Sequence, residues 1–369
     1  MTRLYQSPTV LWFTRRLAAA LCACTAIAAS AAPIYSVTDL GTLPGGTLSR
    51  AFGINSAGQV VGFATTATGQ HAFAWNSGVM TDLGTLPGGT DFSRAFGIND
   101  QSQVAGWGEA ASGPTAFEWQ SGVMTELGTL PAEPVASRAF GINNLGQVVG
   151  FESTATADQA LLWDNGTITS LGDLPGGANR SRAYGINDNS QVVGWSSAAT
   201  GQRAFLWQSG VMTDLGDLPG GVNGSRVFGL NGLGEVVGYS GAATGTRAFV
   251  WQGGVMTDLG DLPGGVDGSK AFGINDGGEV VGFSGATHGA HAFLWTAGDG
   301  MLALNSLLDA SGAGWNLTHA YGINTGGQIV GYGRSPSGEQ HAFLLTPVPE
   351  PASLILLGLG AMLLYRRRA

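Results

Sequence analysis

Seven residues recur seven times along this chain. Ser-Arg-Ala-Phe-Gly-Ile-Asn fills positions 49–55, 93–99 and 137–143, and close variants begin at Ser181, Ser225, Ser269 and Thr318. The Gly-Ile/Leu-Asn landmark starts at Gly53, Gly97, Gly141, Gly185, Gly229, Gly273 and Gly322, so five successive intervals are 44 residues and the last is 49. Trp75, Trp119, Trp163, Trp207, Trp251 and Trp295 keep the same step, with Leu345 in the seventh place. Self-similarity at this period confines the chain to a propeller or a solenoid, and overrides the two domains that length alone suggests. The 62 glycines suit many tight turns and argue against a helical bundle.

Each unit reads as β. In the second, Ser93–Asn99 alternates, Asn-Asp-Gln-Ser is a turn cluster, and Gln-Val-Ala-Gly-Trp-Gly-Glu, Thr-Ala-Phe-Glu-Trp and Val-Met-Thr-Glu-Leu-Gly follow, separated by Gly- and Ser-rich turns. Short alternating runs with this punctuation predict four strands, a to d, joined by hairpins. The connection after d, such as 85–93 or 217–225, is longer and stiffened by proline, as a crossing to the next inner strand requires. Three hairpins and one crossover per ~44 residues describe a propeller blade.

The ends of the array sharpen this. It opens on a d-type strand, Tyr35–Gly41, with no a, b or c before it, and closes on a c-type strand, His341–Leu345, with no d after it. If Gly300–Leu308 supplies the sixth d strand, the expected fold is all-β: a seven-bladed β-propeller whose first strand pairs with the last blade and leaves no open edge. The competing fold, an open β-helix with two ~22-residue coils per repeat, gives no reason for split termini.

Both cysteines, Cys22 and Cys24, lie near the N-terminus, in a stretch with Arg3, Arg15 and Arg16, an apolar run Leu17–Ala28 and an Ala-Ser-Ala site at 29–31. This is the pattern of a secretory signal peptide, so residues 1–31 are expected to be removed, leaving a mature chain without thiols. At the other end Pro349-Glu350-Pro351 precedes an apolar run, Ala352–Tyr365, and Arg366, Arg367 and Arg368. Fourteen helical residues reach only about 21 Å against a hydrocarbon core of about 30 Å, which suits transient insertion as a transmembrane helix. Between these ends, residues 32–347 carry 10 Lys+Arg and 24 Asp+Glu, a net charge of −14 that disfavours nucleic acid.

The repeated side chains divide into packing and surface. Phe52 and its six equivalents, Phe63/Trp107 and theirs, the strand-c Phe73/Phe117 series and the tryptophans give four bulky positions per unit, read as inter-blade core rather than a sugar-stacking surface. Asn55 and its equivalents read as turn residues, since too few carboxylates stand at fixed offsets for a calcium loop. Arg50, Arg94, Arg138, Arg182, Arg226, Lys270 and His319 share one position and would form a collar in a closed ring. The collar is either an anion site for an acidic or sulfated polysaccharide, or a set of cations paired with the recurring Asp39, Asp82, Glu126, Asp214 and Asp258.

No catalytic triad spacing, phosphate loop or paired acid stands in a unique segment, and His71, His288, His291, His319 and His341 do not make a metal site. No metal or other cofactor is expected. Two departures from the repeat, 131–137 with Glu133 and 297–317 with Asp299 and Asp309, are where an active site could be built, as in a polysaccharide lyase or hydrolase.

Two resemblances add to this reading. The tail from 348 to 369 resembles the PEP-CTERM sorting signal, with Pro349, Glu350, Pro351 and the arginines at 366–368 in order. That resemblance implies export across the inner membrane of a Gram-negative bacterium, processing by an exosortase, and delivery to the cell surface or an exopolysaccharide (biofilm) matrix. The unit from Asp39 to Trp75 is similar to the HAF-type extracellular repeat, with His-Ala-Phe intact at His71, His291 and His341; this implies location and not chemistry. The expected function is therefore a non-enzymatic surface or matrix module that binds exopolysaccharide or another envelope glycan.

Overall fold

A computed structural model describes residues 32–131, 134–221, 224–286 and 289–349. The expected signal peptide, Glu133, His288 and the apolar tail with Glu350, Pro351 and its arginines lie outside the described residues. From Ile34 onward the contacts define one compact unit.

The fold is all-β, a β-propeller of four-stranded antiparallel sheets. In the first unit strand a is Ser49–Ile54, b is Val60–Thr65, c is Gln70–Asn76 and d is Val79–Gly84, hydrogen-bonded in that order. The order recurs in sheets beginning at Ser93, Ala136 and Ser181. The strands from Ser225 to Ala303 form an eight-stranded sheet, two such sets joined by a single parallel pair, Thr246 with Gly268. In the remaining sheet Asn316–Ile323, Ile329–Arg334 and Gln340–Pro347 are followed not by a later strand but by Tyr35–Asp39 from the N-terminus. Its register runs from Tyr35 opposite Pro347 to Asp39 opposite Phe343.

Packing explains the sequence of each strand. Strand b is buried along nearly its whole length, as in Val-Val-Gly-Phe-Ala at 60–64, because sheets cover both of its faces. Strand d alternates and is largely exposed, as in Val255–Asp258, and is kept short, which limits what an outer edge offers to another chain. Each hydrophobic cluster draws on two successive sheets: Val61 and Ala72 pack with Ala95, Val104 and Phe117. The first sheet packs in the same way against the last, through Ala51, Val60 and Phe73 with Val330, Ala342 and Leu344.

The glycine of strand b has a specific cause. A Cβ on Gly62 would lie 1.9 Å from the Arg50 carbonyl oxygen, and on Gly150 1.9 Å from that of Arg138. Strand a bulges between Ala51 and Gly53, and its backbone leans into the space a side chain would need.

The departure at 297–317 holds a strand and two short turns. Gly300–Ala303 is the d strand of its sheet. The following 3-10 turns, Leu304–Leu307 and Ala310–Gly312, lie along the N-terminal strand: the Asp309 amide donates to the Tyr35 carbonyl at 2.9 Å and the Val37 amide to Ser311 Oγ at 2.7 Å. Asp309 accepts from the Ser311 amide and Asp299 from the Thr296 hydroxyl, so both carboxylates hold their own turns.

Candidate functional site

Residues of strand a and of the turn after it, from successive units, line common cavities, and the strand-a side chains form layers along one axis. At one end the asparagines are almost fully buried. Asn55 Oδ1 accepts from the Gln59 amide at 2.9 Å, closing its own turn. Its Nδ2 donates to the Asn99 carbonyl at 3.1 Å. The same bond links Asn99 to Asn143, Asn143 to Asn187, Asn187 to Asn231, Asn231 to Asn275 and Asn275 to Asn324. Asn324 then donates to Asn55 at 3.1 Å, so the chain of bonds returns to its first member.

Outside this circle the mouth carries Ser56, Asp100, Asn144, Asp188, Gly232, Asp276 and Thr325, around a cavity of about 300 Å³. Neighbours bond round it, as when the Ser56 amide donates to Asp100 Oδ1 at 2.9 Å and the Asn144 amide to Asp188 Oδ1 at 2.8 Å. Inward of the asparagines the axis narrows to a cavity of about 190 Å³ lined by isoleucines, with Leu230 in one place. Next comes a circle of aromatic rings. Phe52, Phe96, Phe140, Tyr184, Phe228, Phe272 and Tyr321 touch in turn at centroid distances of 4.6–5.3 Å, and Tyr321 meets Phe52 at 4.9 Å. The strand-c phenylalanines are fully buried between sheets as expected, whereas these strand-a aromatics are only partly buried and line the axis.

The collar residues form the layer beyond, at the opposite mouth. Each lies over the strand-b aromatic of the preceding unit: Arg94 over Phe63 at 4.5 Å, Arg138 over Trp107 at 4.3 Å, Arg182 over Phe151 at 4.2 Å, Arg226 over Trp195 at 5.2 Å, and Lys270 over Tyr239 at 4.5 Å. Arg50 sits over Tyr332 at 4.4 Å, and the His319 ring lies 4.5 Å from that of Phe283. Such contacts hold a cation without neutralising it.

The Asp-Leu-Gly carboxylates do not pair with the collar. Asp39, Asp82, Asp214 and Asp258 each cap the amide of the glycine two residues on, at 2.8 Å. Asp39 and Asp82 also engage His341 and His71 at the His-Ala-Phe position of strand c, at 2.9 and 2.7 Å. The collar is held instead by the residue just before that position. Arg50, Arg94 and Arg226 donate from Nε to Gln340, Gln70 and Gln202 at 2.7–2.8 Å. Arg182 donates to Asp158 through Nε at 2.9 Å and Nη2 at 2.7 Å.

Pro114, Thr246 and Ala290 occupy that place before Arg138, Lys270 and His319. Among the described residues none of these three has a side-chain hydrogen bond, and Arg138 Nε and His319 Nδ1 are buried without a partner. Burial and then Arg182 lower the pKa of Arg138, against Glu109, Asp158 and Tyr184. Burial and then Arg226 lower that of Lys270. Burial, then Arg50 and Lys270, bring His319 to about 4, so it is neutral at pH 7 beside six cations.

Charge is segregated along the axis. Arg203, Arg247 and Arg334 lie level with the collar by strand register and Arg180 by its bridge to Asp158, which accounts for every Lys and Arg between 32 and 347. The chain enters and leaves at the other mouth, where the Val348 amide donates to the Ile34 carbonyl at 2.8 Å and Pro347 adjoins Gly327 in an asparagine turn.

Sequence reasoning placed the collar residues in one position but missed what holds them. The signal was present: an aromatic recurs opposite the cation in every unit. Among the described residues no three His, Cys, Asp or Glu side chains are grouped to hold a metal, and no helix is long and apolar enough to cross a membrane.

Comparison with known proteins places two parts of the chain. Residues 347–369 match the PEP-CTERM protein-sorting motif. No curated protein matches the chain. Among solved structures it is similar to the β-propeller domain of the Trilobed protease from Pyrococcus furiosus, with 9% identity and a TM-score of 0.54 over 86% of this chain and 94% of that one. That domain is described as having an open velcro topology. TolB from Acinetobacter baumannii is similar at 10% identity and a TM-score of 0.44, over 69% of this chain and 61% of that one. At such identities the likeness is one of fold alone. The chain is a β-propeller that carries a protein-sorting motif.

Proposed function

We propose that this chain is an exported, non-enzymatic binding module of a Gram-negative cell surface or extracellular matrix. Its repeats are read as HAF-type units building a seven-bladed propeller, closed by the pairing of Tyr35–Asp39 with the last blade. Residues 1–31 direct export. The tail from 348 inserts transiently in the inner membrane and is processed by an exosortase that recognises Pro349, Glu350 and Pro351. The partner is the exopolysaccharide or another envelope glycan.

The observation that carries this reading is the collar: six cations at one mouth, stacked on aromatics, of which only Arg182 has a carboxylate partner among the described residues. A structural set of cations would be matched by carboxylates, as Arg247 is by Asp261 and Asp267. A partly buried cluster of six cations with one paired carboxylate suits an anionic ligand.

The test is a glycan microarray and pull-down with the exported protein and the polysaccharide of its own host. Retention of that polysaccharide, without release of new reducing ends, is the expected result. Failure to retain any host glycan removes the proposed partner, and depolymerisation would make the protein a carbohydrate-active enzyme instead.

A further inference from the structure

The collar is not uniform, and its irregularity points to where a ligand is gripped. Three of its arginines are tied to glutamines and one to Asp158. Arg138 and Lys270 have only aromatic faces beneath them, because the units before them offer Pro114 and Thr246 where the others offer Gln or Asp. They stand three units apart among seven, and so on opposite sides of the mouth. Behind them the aromatic circle and the isoleucines narrow the axis.

We infer, building on the reading above, that Arg138 and Lys270 form a two-point site for an acidic saccharide carrying at least two anionic groups, carboxylate or sulfate. The saccharide lies across the cationic mouth, one to a propeller. The two unpartnered cations donate to one anionic group each, while the tied arginines contribute positive potential and keep their present bonds. The mouth concerned is the one opposite to where the chain leaves toward its sorting motif, so a protein held by its tail presents this site outward.

The inference makes an ordering that a structural role would reverse. Removing a charge that has no protein partner weakens binding and leaves stability nearly unchanged. Removing Arg182 strands Asp158, which is buried, and so lowers stability, and it leaves one uncompensated negative charge at the mouth.

The experiment is equilibrium binding of the full chain in detergent to fluorescent oligouronate and to a sulfated oligosaccharide, with neutral dextran and inorganic sulfate as comparators. Arg138→Gln, Lys270→Gln and Arg182→Gln are measured beside the unaltered protein, each with its melting temperature. Expected are saturation at one oligosaccharide per chain, weakening by about tenfold or more for R138Q and K270Q at unchanged melting temperature, and, for R182Q, a fall in melting temperature that sets it apart from the other two. Binding that rises with added salt, or equal affinities for R138Q, K270Q and the unaltered protein, overturns the site. Inorganic sulfate competing as well as the oligosaccharide overturns the two-point grip. Retention of neutral host polysaccharide without acidic oligosaccharide binding overturns this inference alone; no glycan binding at all takes the broader reading with it.

Discussion

Among single residues, Glu152 shows how a near-exact repeat exposes its own exceptions. In three sister units a serine fills this place, and its hydroxyl accepts from a backbone amide: Leu174 to Ser196 and Leu218 to Ser240 at 3.0 Å, and Leu262 to Ser284 at 3.2 Å. Glu152 accepts the same bond from Leu130 at 3.1 Å, but its carboxyl is fully buried and Oε1 has no partner. Burial raises its pKa, and the Leu130 amide only partly offsets this. A carboxyl whose folded-state pKa lies above its unfolded one favours the folded state at low pH. Its penalty grows as pH rises from the ordinary glutamate value through the raised one. Glu152→Ser is therefore expected to be more stable than the unaltered protein at pH 8, by about 1 kcal/mol, with the advantage disappearing in acid. Thermal melts from pH 4 to 8 check this, and a difference that does not vary with pH would remove titration of Glu152 as its source.

At the scale of the element, strand a and its following asparagine give every residue a separate task. In the second unit, Ser93 accepts from the Ala72 amide at 2.9 Å and donates to the Gly84 carbonyl, stitching strand a to the preceding sheet. Arg94 enters the collar, Ala95 the core, Phe96 the aromatic circle and Asn99 the amide circle. The strands themselves were legible because alternation and turn chemistry act locally. The number of bulky positions per unit was legible too, because burial repeats with the period. The partners were not: the bonds of Asn99 and Ser93 reach 44 and 21 residues along the chain, and no local pattern encodes which amide a carbonyl meets. The same holds for Asp39, Asp82 and Asp214, whose partners His341, His71 and Arg203 stand on strand c. Glycine gives an element-scale test. A Cβ at Gly150 would collide with backbone at 1.9 Å, whereas Gly122, at φ +89, has nothing within 4 Å. Gly150→Ala is expected to cost about 3 kcal/mol through forced backbone displacement, and Gly122→Ala about 1–2 kcal/mol through its left-handed conformation alone. Urea unfolding of the two variants measures the gap, and equal losses would discard the collision as the reason for this glycine.

For the whole molecule, the question is what holds successive units against one another. Each contact between neighbours is modest: one asparagine bond, one serine stitch, one aromatic pair and a small apolar cluster. Between the first and last units the same contacts are present, with Asn324 bonded to Asn55, the Ala342 amide to Ser49 at 2.8 Å, and Tyr321 against Phe52. The N-terminal strand takes in the last sheet the place that strand d holds in the others, but from the opposite end of the chain. It completes the last sheet and places Tyr35, almost fully buried, in the core with Leu304, Leu317 and Leu345. Burying that ring contributes about 2–3 kcal/mol, and the strand's hydrogen bonds cover an edge that would otherwise be free to pair with another chain. A chain lacking residues 32–41 is therefore expected to melt lower and to associate through the edge of Gln340–Pro347. A synthetic peptide of residues 32–41 added in trans should restore both the melting temperature and the original particle size, since it can occupy the vacated place by strand addition. Differential scanning fluorimetry and light scattering with and without peptide decide the matter. If the truncated chain melts at the original temperature and keeps its original size without the peptide, the strand is not needed, and the neighbour contacts alone hold the first and last units together.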